Sequence, residues 1–274
     1  MGKSRIQEAV EIRASSWGSL FDCAYGWEGV HILGMRKASG LRATLGTAIH
    51  AGTAAFDLAR MEGSAISADD AAQELIDTLY RPTEEVDYKQ DPSLSLDAAE
   101  RIGLTLHTRY CHEISPLFQF KAVEMKLEPF DIECDGITIR LKGTMDRARV
   151  AQAEGGVVIP DIKSGGRLID SRTGEVSIKG RSAQLGAYQL MYEHTTDEPT
   201  VGGQILALQT TNTPVAGVSQ VFDAKRRMVG TETAPGFIEL AAQMLKTGLF
   251  PPNPQSPLCS EKYCARWATC MYHE

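Results

Sequence analysis

The sequence predicts a single-domain α/β fold, and three observations support that class. Through the first 118 residues, apolar side chains recur at helical spacing. From Gln119 onward the spacing changes to the alternation typical of β-strands. A length of 274 residues with 43% hydrophobic residues is enough to bury one substantial core. We expect a central mixed sheet flanked by helices, with a helical portion at 15–118, the sheet at 119–223, and a last helix and cysteine cluster at 231–274.

Helices are predicted for most of the N-terminal portion. Ser15 or Ser16 can cap a first helix whose apolar face carries Trp17 and Tyr25. The stretch 81–92 contains two prolines and is predicted to be a loop. Three further helices are predicted in this portion: Leu41–Met61, one that follows Ser67, and Ser95–Cys111.

The sheet is predicted from alternating apolar residues. The strands 123–127 and 137–142 are separated by Asp135-Gly136, which is typical of a hairpin turn, so these two strands are predicted to pair. A second hairpin is predicted around Glu154-Gly155-Gly156. The other predicted elements are strands 145–150 and 157–162 on either side of that turn, helix 182–194, strands 201–209 and 215–222, helix 233–247 and a proline-rich linker at 251–257.

Charge and hydropathy exclude several classes of protein. A net charge of -7 argues against a protein that coats nucleic acid non-specifically, because such binding depends on Lys and Arg. The stretch 140–181 nevertheless carries a net charge of +4, which fits either a solvated face or a polyanion site. No apolar run is long enough to span a membrane, and Met1–Ala14 is too polar for a secretory signal. We therefore expect a cytoplasmic protein with no membrane partner, in which disulfides are disfavoured.

The most distinctive local pattern is Asp161-Ile162-Lys163 at the end of an apolar strand. Side chains two residues apart on a strand point to the same face, so Asp161 and Lys163 are expected to emerge together. Asp146 lies on the neighbouring strand of the second predicted hairpin. Two carboxylates and an ammonium group at a strand end can bind a hard divalent cation and leave a lysine beside its water. A surface ion pair next to a proline turn is the alternative interpretation.

Four short motifs occur in an order that extends this hypothesis. They are GTAIH at 46–50, GTMD at 143–146, DIK at 161–163 and QLGAY at 184–188. With each motif on the expected helix or strand, the chain resembles the PD-(D/E)XK nuclease superfamily, and within it the RecB-type exonuclease domains that include AddB and the CRISPR-associated spacer-acquisition nucleases. The resemblance covers about Ser15 to Cys270 and implies a central mixed sheet of the restriction-endonuclease type.

The resemblance also implies roles for individual residues. His50, Asp146, Asp161 and the carbonyl of Ile162 would ligate Mg²⁺ or Mn²⁺. Lys163 would orient or deprotonate the attacking water and stabilise the charge that develops on the phosphate. These roles agree with the chemistry, because phosphodiester hydrolysis needs charge neutralisation and an activated water held in line. A buried core histidine is the alternative for His50.

Three further residues have open roles. Gln184 and Tyr188 share a helix face, and by the resemblance they lie beside the metal site and help to hold the DNA strand or a catalytic group. Alternatively, Tyr188 packs in the core and Gln184 is simply exposed. Glu124 matches a carboxylate often found on the first strand of RecB-type domains. It could accept a hydrogen bond from Lys163, reach a second metal, or be an ordinary exposed strand residue.

The cysteines complete the resemblance. AddB-like nucleases hold a structural 4Fe-4S cluster with one N-terminal and three C-terminal cysteines, which correspond here to Cys23, Cys259, Cys264 and Cys270. The usual pattern has two residues between the first C-terminal pair, whereas this chain has four. That departure leaves a Zn²⁺ site as the alternative. Nearby aromatic side chains are expected to shield the cluster, with stacking on single-stranded DNA as the alternative.

The sequence therefore predicts a metal-dependent DNA exonuclease of recombination, repair or end processing. Its substrate would be DNA, with a free end or single-stranded. Two alternatives remain: a nuclease that trims DNA for CRISPR spacer acquisition, and a DNA-binding or recombination scaffold that has lost catalysis. No Gly-x-x-x-x-Gly-Lys-Ser/Thr motif is present, so any unwinding would require a helicase or recombination partner protein.

Overall fold

The computed structural model describes residues 9–64, 66–152 and 155–274, and it confirms the mixed α/β class. Two mixed β-sheets are flanked by helices. The strands are β1 (Val10–Arg13), β2 (Phe120–Lys126), β3 (Phe130–Cys134), β4 (Ile137–Lys142), β5 (Thr144–Ala151), β6 (Gly156–Gly165), β7 (Thr200–Gln209) and β8 (Val215–Val218). The α-helices are α1 (Trp17–Asp22), α2 (Ala24–His31), α3 (Leu41–Met61), α4 (Ala68–Tyr80), α5 (Leu96–Arg109), α6 (Ser182–Thr196) and α7 (Phe237–Thr247).

The larger sheet has five strands in the order β2-β5-β6-β7-β8. Its central pair, β6 and β7, is parallel, and the other neighbours are antiparallel. Successive side chains of β6 point to opposite faces, so Ile162 packs with Leu45 of α3 while Ile159 packs with Leu185 of α6. Helices therefore cover both faces of the strand that carries the Asp-x-Lys pattern, which explains why β6 is almost entirely apolar before it.

The smaller sheet corrects one predicted pairing. Asp135-Gly136 does form a hairpin turn, and both residues have positive φ values, of 52° and 77°. The turn, however, joins β3 to β4, and β2 pairs with β5 instead. The prediction was wrong because residues 130–134 form a strand of their own, which is the nearest partner across a two-residue turn. β1, which the sequence analysis did not predict, adds to β4 in parallel.

Most helix predictions are confirmed, but the first helix is divided. Cys23 has an extended backbone, with φ of -142°, and separates α1 from α2. The predicted cap at Ser16 is absent, because its hydroxyl donates to the carbonyl of Arg13. By contrast, Ser67 caps α4 and Ser95 caps α5 through their hydroxyl groups.

The second predicted turn and the predicted polar segment at the N-terminus lie partly outside the described residues. Of the second predicted turn, Gly155-Gly156 and the antiparallel pairing of β5 with β6 are confirmed, whereas Glu154 lies outside the described residues. The start of the predicted polar segment Met1–Ala14 lies outside them too. The three-part division of one domain stays a prediction. Within the described ranges, no helix is long and apolar enough to cross a membrane.

Candidate active site

The predicted site residues come from five elements, three of which are the adjacent strands β2, β5 and β6 of the five-stranded sheet. They are His50 on α3, Glu124 on β2, Asp146 on β5, Asp161, Ile162 and Lys163 on β6, and Gln184 and Tyr188 on α6. Residues separated by more than 100 positions in the chain thus lie close enough for their charges to act on one another, since the charges of His50 and Asp146 both influence the carboxyl group of Asp161.

His50, Glu124 and Asp146 form a group that could hold a metal ion. One ligand atom of each lies within 4.8 Å of the other two, and His50 Nδ1 is 3.6 Å from Asp146 Oδ2. The register places Glu124 directly across from Asp146, because the residues on either side of them are paired between β2 and β5. Two carboxylates and one imidazole fit a divalent cation such as Mg²⁺ or Mn²⁺.

Glu124 has an unusual backbone for a strand residue. Its φ of 47° lies in the left-handed region, which non-glycine residues seldom adopt and which is often found at functional sites. Partial burial and the charge of Asp146 raise the pKa of Glu124, while Arg147, whose Nη1 donates to Glu124 Oε1 at 3.3 Å, opposes that shift. Glu124 thus belongs to the group that could hold a metal ion, and Lys163 pairs with Asp161 rather than with Glu124; a metal role of Glu124 stays a prediction.

Asp161 and Lys163 form an ion pair beside that group. Lys163 Nζ lies 2.6 Å from Asp161 Oδ2, and Gln184 Nε2 donates to Asp161 Oδ1 at 3.1 Å. The Asp161 side chain is only 1% exposed, yet its Oδ2 has no well-oriented hydrogen bond. A buried carboxylate oxygen without such a bond is an available ligand. Burial raises the pKa of Asp161 to about 6, Lys163 opposes the rise, and Asp146 adds to it.

Asp146 connects the two groups. Its Oδ2, the oxygen nearest His50, accepts a hydrogen bond from the backbone N–H of Ile162 at 2.8 Å. Asp161 lies outside the group of ligand atoms that are within 4.8 Å of one another. The ligand roles of Asp161 and of the Ile162 carbonyl therefore stay predictions, whereas the convergence of the side chains on one place is observed.

The glycines of two motifs lie where neighbouring elements approach closely, so that a side chain at either position would meet other atoms. A Cβ on Gly46 would lie 2.7 Å from the hydroxyl of Ser164, so α3 lies against the end of β6. A Cβ on Gly143 would lie 3.0 Å from the ring of Tyr188. That ring is 4% exposed and belongs to the core, and its burial, followed by the charges of Asp146 and Asp161, raises the pKa of Tyr188. Tyr188 thus packs in the core and also lies near the carboxylates.

Comparison with known proteins identifies the family of this chain. The model of the PD-(D/E)XK nuclease superfamily matches residues 14–271. The chain belongs to this superfamily. Membership makes it a nuclease-type protein, from a class that generally uses divalent metals and acts on DNA. No curated protein matches the chain.

Two solved structures resemble this PD-(D/E)XK protein. A crystal structure from Eubacterium rectale described as "Putative exonuclease" has a TM-score of 0.54 and 13% sequence identity, over 91% of this chain and 87% of that one. The crystal structure of SSO0001 has a TM-score of 0.44 and 11% identity, over 97% of this chain and 88% of that one. The first supports the fold, and the second is too distant to support any conclusion.

The fourth superfamily motif contains a glycine whose replacement we expect to be destabilising. A Cβ on Gly186 would lie 2.7 Å from the carbonyl oxygen of Ala224 and 2.5 Å from Met228 Cγ. Gly186→Ala should lower the free energy of unfolding by about 2 kcal/mol, because overpacking costs roughly 1–3 kcal/mol and exceeds the gain of ~1 kcal/mol in helix propensity. Urea denaturation would measure this. Gly18→Ala, in α1, serves as a control, since its Cβ would lie 3.8 Å from the carbonyl oxygen of Gly180, an ordinary contact distance; equal effects would contradict the prediction.

The raised pKa of Asp161 predicts how stability depends on pH in the metal-free protein. Folding raises this pKa from 3.8 to about 6, so the stability associated with the protonated carboxyl is complete below about pH 4 and is lost as the pH rises through about 6. The free energy of unfolding, measured in EDTA by urea denaturation, should fall by roughly 2 kcal/mol more between pH 4 and pH 7 than in Asp161→Asn. Parallel pH profiles of the two proteins would show that Asp161 titrates normally.

A buried arginine supports the site and was missed by the sequence analysis. Arg147 is fully buried, its Nε donates to Asp57 Oδ2 at 2.7 Å, and its Nη1 donates to the carbonyl of Asp146 at 2.7 Å. Tyr110, in a π-helical turn that follows α5, and Ser115, immediately after that turn, also donate to Asp57. The sequence contains no signal for this network, because a charged residue on an alternating strand is expected to face solvent.

The four predicted cysteine ligands lie around one cavity of about 220 Å³. Cys23 is brought there by the break between α1 and α2, and all four thiols are free and partly exposed. Burial, followed by the charges of the other three cysteines, raises the pKa of Cys259. In the described part of the chain, no three of these sulfurs lie within 4.8 Å of one another. Tetrahedral Zn²⁺, with Zn–S bonds of about 2.3 Å, would need a tighter arrangement.

Proposed function

We propose that this PD-(D/E)XK protein is a metal-dependent DNA exonuclease of the RecB/AddB type, acting in DNA recombination, repair or end processing. The observation that carries the proposal is the convergence of His50, Glu124 and Asp146 beside the buried Asp161–Lys163 pair. Action in the cytoplasm is part of the proposal, since free thiols persist in reducing compartments. Partner proteins such as a helicase would supply any unwinding of the substrate.

The residues present fit a Mg²⁺ or Mn²⁺ ion. His50, Asp146 and Glu124 would hold it, together with Asp161 Oδ2, which is paired with Lys163, and the carbonyl of Ile162. Such an ion neutralises charge on phosphate oxygens and lowers the pKa of water. Lys163 Nζ, fixed by Asp161, would orient the attacking water and donate to the phosphate. Gln184 holds the other oxygen of Asp161 and so fixes its plane, while Tyr188 lies behind it in the core.

A digestion assay tests the activity. We expect the purified protein to degrade linear DNA with Mg²⁺ or Mn²⁺ and to be inactive in EDTA. A closed circular DNA of the same sequence should survive, because an exonuclease needs an end. Cleavage of the circle would show that the protein is an endonuclease and not an exonuclease. No cleavage of either DNA with either metal would favour the inactive DNA-binding scaffold. Selective trimming of short fragments to one length would favour the spacer-acquisition alternative.

We further propose that Cys23, Cys259, Cys264 and Cys270 bind a structural 4Fe-4S cluster. Four thiolates match its ligand requirement, and the four cysteines line one cavity without three of their sulfurs lying within 4.8 Å of one another, which suits a cluster better than a single Zn²⁺ ion. Two contacts attach the C-terminal cysteine segment to the N-terminal portion of the chain. Arg266 Nη1 donates to the carbonyl of Tyr25 at 2.6 Å, and Lys262 Nζ lies 2.9 Å from Asp91 Oδ1. The cluster would therefore join the two ends of the fold.

Loss of one cysteine tests the cluster. Cys264→Ser, purified without oxygen, should lose the absorbance near ~400 nm and should unfold at a temperature lower by about 5 °C or more. Cys134→Ser, on the smaller sheet, is the matched control and should keep both properties. A colourless unmodified protein that contains zinc would overturn the iron–sulfur assignment and leave the Zn²⁺ alternative.

A further inference from the structure

A polar cleft lies beside the candidate active site, next to the carboxyl ends of β6 and β7. Its volume is about 470 Å³, within the range of roughly 300–1,000 Å³ that is usual for ligand clefts. Gly166 lines the cleft and follows Lys163 by three residues. At ~3.3 Å per strand residue, the cleft begins about 10 Å from the lysine. It is therefore close enough to hold another part of the same substrate.

The lining of this cleft is basic and polar. α3 contributes Arg42 and α5 contributes Arg101, and both are exposed. The other polar side chains in the lining include Ser93, Thr105, Thr211 and Asn212. Among the described residues that line the cleft, none has a carboxylate. In a protein with a net charge of -7, such a concentration of donors without acidic groups favours a phosphate-rich ligand.

The two arginines are available for a ligand. Arg42 Nε lies 3.4 Å from Asp91 Oδ1, which fixes the side chain but leaves both Nη groups for a bidentate contact. Asp91 is itself buried and also pairs with Lys262, so its charge is shared. Within the ranges that the structure describes, the guanidinium group of Arg101 has neither an ion pair nor a hydrogen bond.

The floor of the cleft is fixed by hydrogen bonds. The backbone N–H of Thr210 donates to the carbonyl of Gly165 at 2.9 Å. Gln209 Oε1 accepts from the backbone N–H groups of Leu168 and Ile169, both at 2.9 Å. These bonds hold the segment after β6 against the end of β7. A preformed surface of this kind loses little freedom when a ligand binds.

We infer that this cleft binds the sugar–phosphate backbone of a single DNA strand at a short distance from the bond that is cut. Arg42 precedes His50 by eight residues on α3, which corresponds to about 12 Å along the helix. A rise of ~3.4 Å per nucleotide holds for a duplex strand and an extended single strand covers more, so the contacted phosphates lie no more than about three nucleotides from the scissile bond. Arg42 and Arg101 bind phosphates, and the hydroxyl and amide groups bind sugar and phosphate oxygens. The inference rests on the proposed function, because it assigns the strand in the cleft to the nuclease site.

Strand binding without cleavage tests this inference. The affinity of a fluorescein-labelled 20-nucleotide DNA strand is measured by anisotropy in EDTA, over a series of salt concentrations. Arg101→Gln should weaken binding about fivefold and reduce the slope of log affinity against log salt by about 0.7, the value for one lost phosphate contact on a single strand. Arg101→Lys should keep the slope. Arg42→Gln combined with Arg101→Gln should weaken binding by more than tenfold.

Arg226→Gln provides a matched control. Arg226 is an exposed arginine on a turn that packs against α6, on the other face of the five-stranded sheet, and its loss should leave both affinity and slope unchanged. Equal binding by Arg101→Gln and the unmodified protein would overturn the inference, as would an equal loss in Arg226→Gln or no binding by the unmodified protein. An unmodified protein that binds through Arg101 but cuts no DNA would refute the proposed function and leave the cleft as a binding site.

Discussion

Replacing Lys163 by methionine is expected to lower the rate of DNA hydrolysis by about a thousandfold, which is the order found when one charge-stabilising donor is removed from an active site. The ammonium group lies 2.6 Å from Asp161 Oδ2, at the edge where His50, Glu124 and Asp146 converge. In the proposed mechanism, its positive charge stabilises the negative charge that develops on the phosphate. Initial rates on a linear DNA with Mn²⁺ would measure the loss.

The control for this variant is Lys142→Met. Lys142 also forms an ion pair, with Glu11 at 3.1 Å, but it lies on β4 of the smaller sheet. Its replacement should leave the rate within about twofold, because an exposed pair contributes little. If Lys163→Met retained Mn²⁺-dependent digestion at the rate of the control, the catalytic assignment of the Asp-x-Lys motif would be wrong.

The largest effect on stability is expected from Arg147→Met. Removing one partner of a buried ion pair leaves an uncompensated charge and costs about 3–5 kcal/mol. Here the remaining partner is Asp57, whose side chain is 0% exposed and which keeps a longer ion pair with Arg60, at 3.9 Å. The same substitution removes the hydrogen bonds to the Asp146 carbonyl and to Glu124. Urea denaturation should show the loss, and the affinity for Mn²⁺ should fall with it because two of the proposed ligand residues, Asp146 and Glu124, lose a hydrogen bond.

Two comparisons make this prediction specific. Arg140→Met removes an equally short pair with Asp131, at 2.6 Å, but both of those side chains are more than 40% exposed. Its cost should not exceed about 1 kcal/mol. Joining Asp57→Leu to Arg147→Met should restore part of the lost stability, because no unpaired charge then remains buried. An equal cost at Arg140 and Arg147 would mean that solvent reaches the Arg147 pair.

The motifs that identify the site could be predicted because each depends on local spacing. Asp161 and Lys163 share a strand face, and Gln184 and Tyr188 share a helix face, whatever the rest of the chain does. The structure shows Asp161 contacting both Lys163 and Gln184. Helix α3 was predicted with its observed bounds because apolar residues recur regularly along all of it.

Other features depend on partners that are distant in the chain. The pairing of β2 with β5 rather than β4 could not be predicted from β2 alone, because alternation specifies which residues are buried and not which strand lies beside them. β1 has only four residues and is paired only with β4, more than 120 positions away. The role of Glu124 likewise depends on its left-handed backbone and on its register with Asp146.

The amino-acid sequence by itself therefore determined the class of fold, because helices and strands follow from periodicities of 3.6 and two residues. It also determined the order of the motifs and the residue types available for metal and phosphate chemistry. Only the tertiary structure decided that Arg147 lies buried between Asp57 and the group that could hold a metal ion, and that Arg42 and Arg101 line one cleft at the end of β6. The physical reason is that burial and charge pairing are properties of neighbours in space, and a linear pattern of residues does not specify those neighbours.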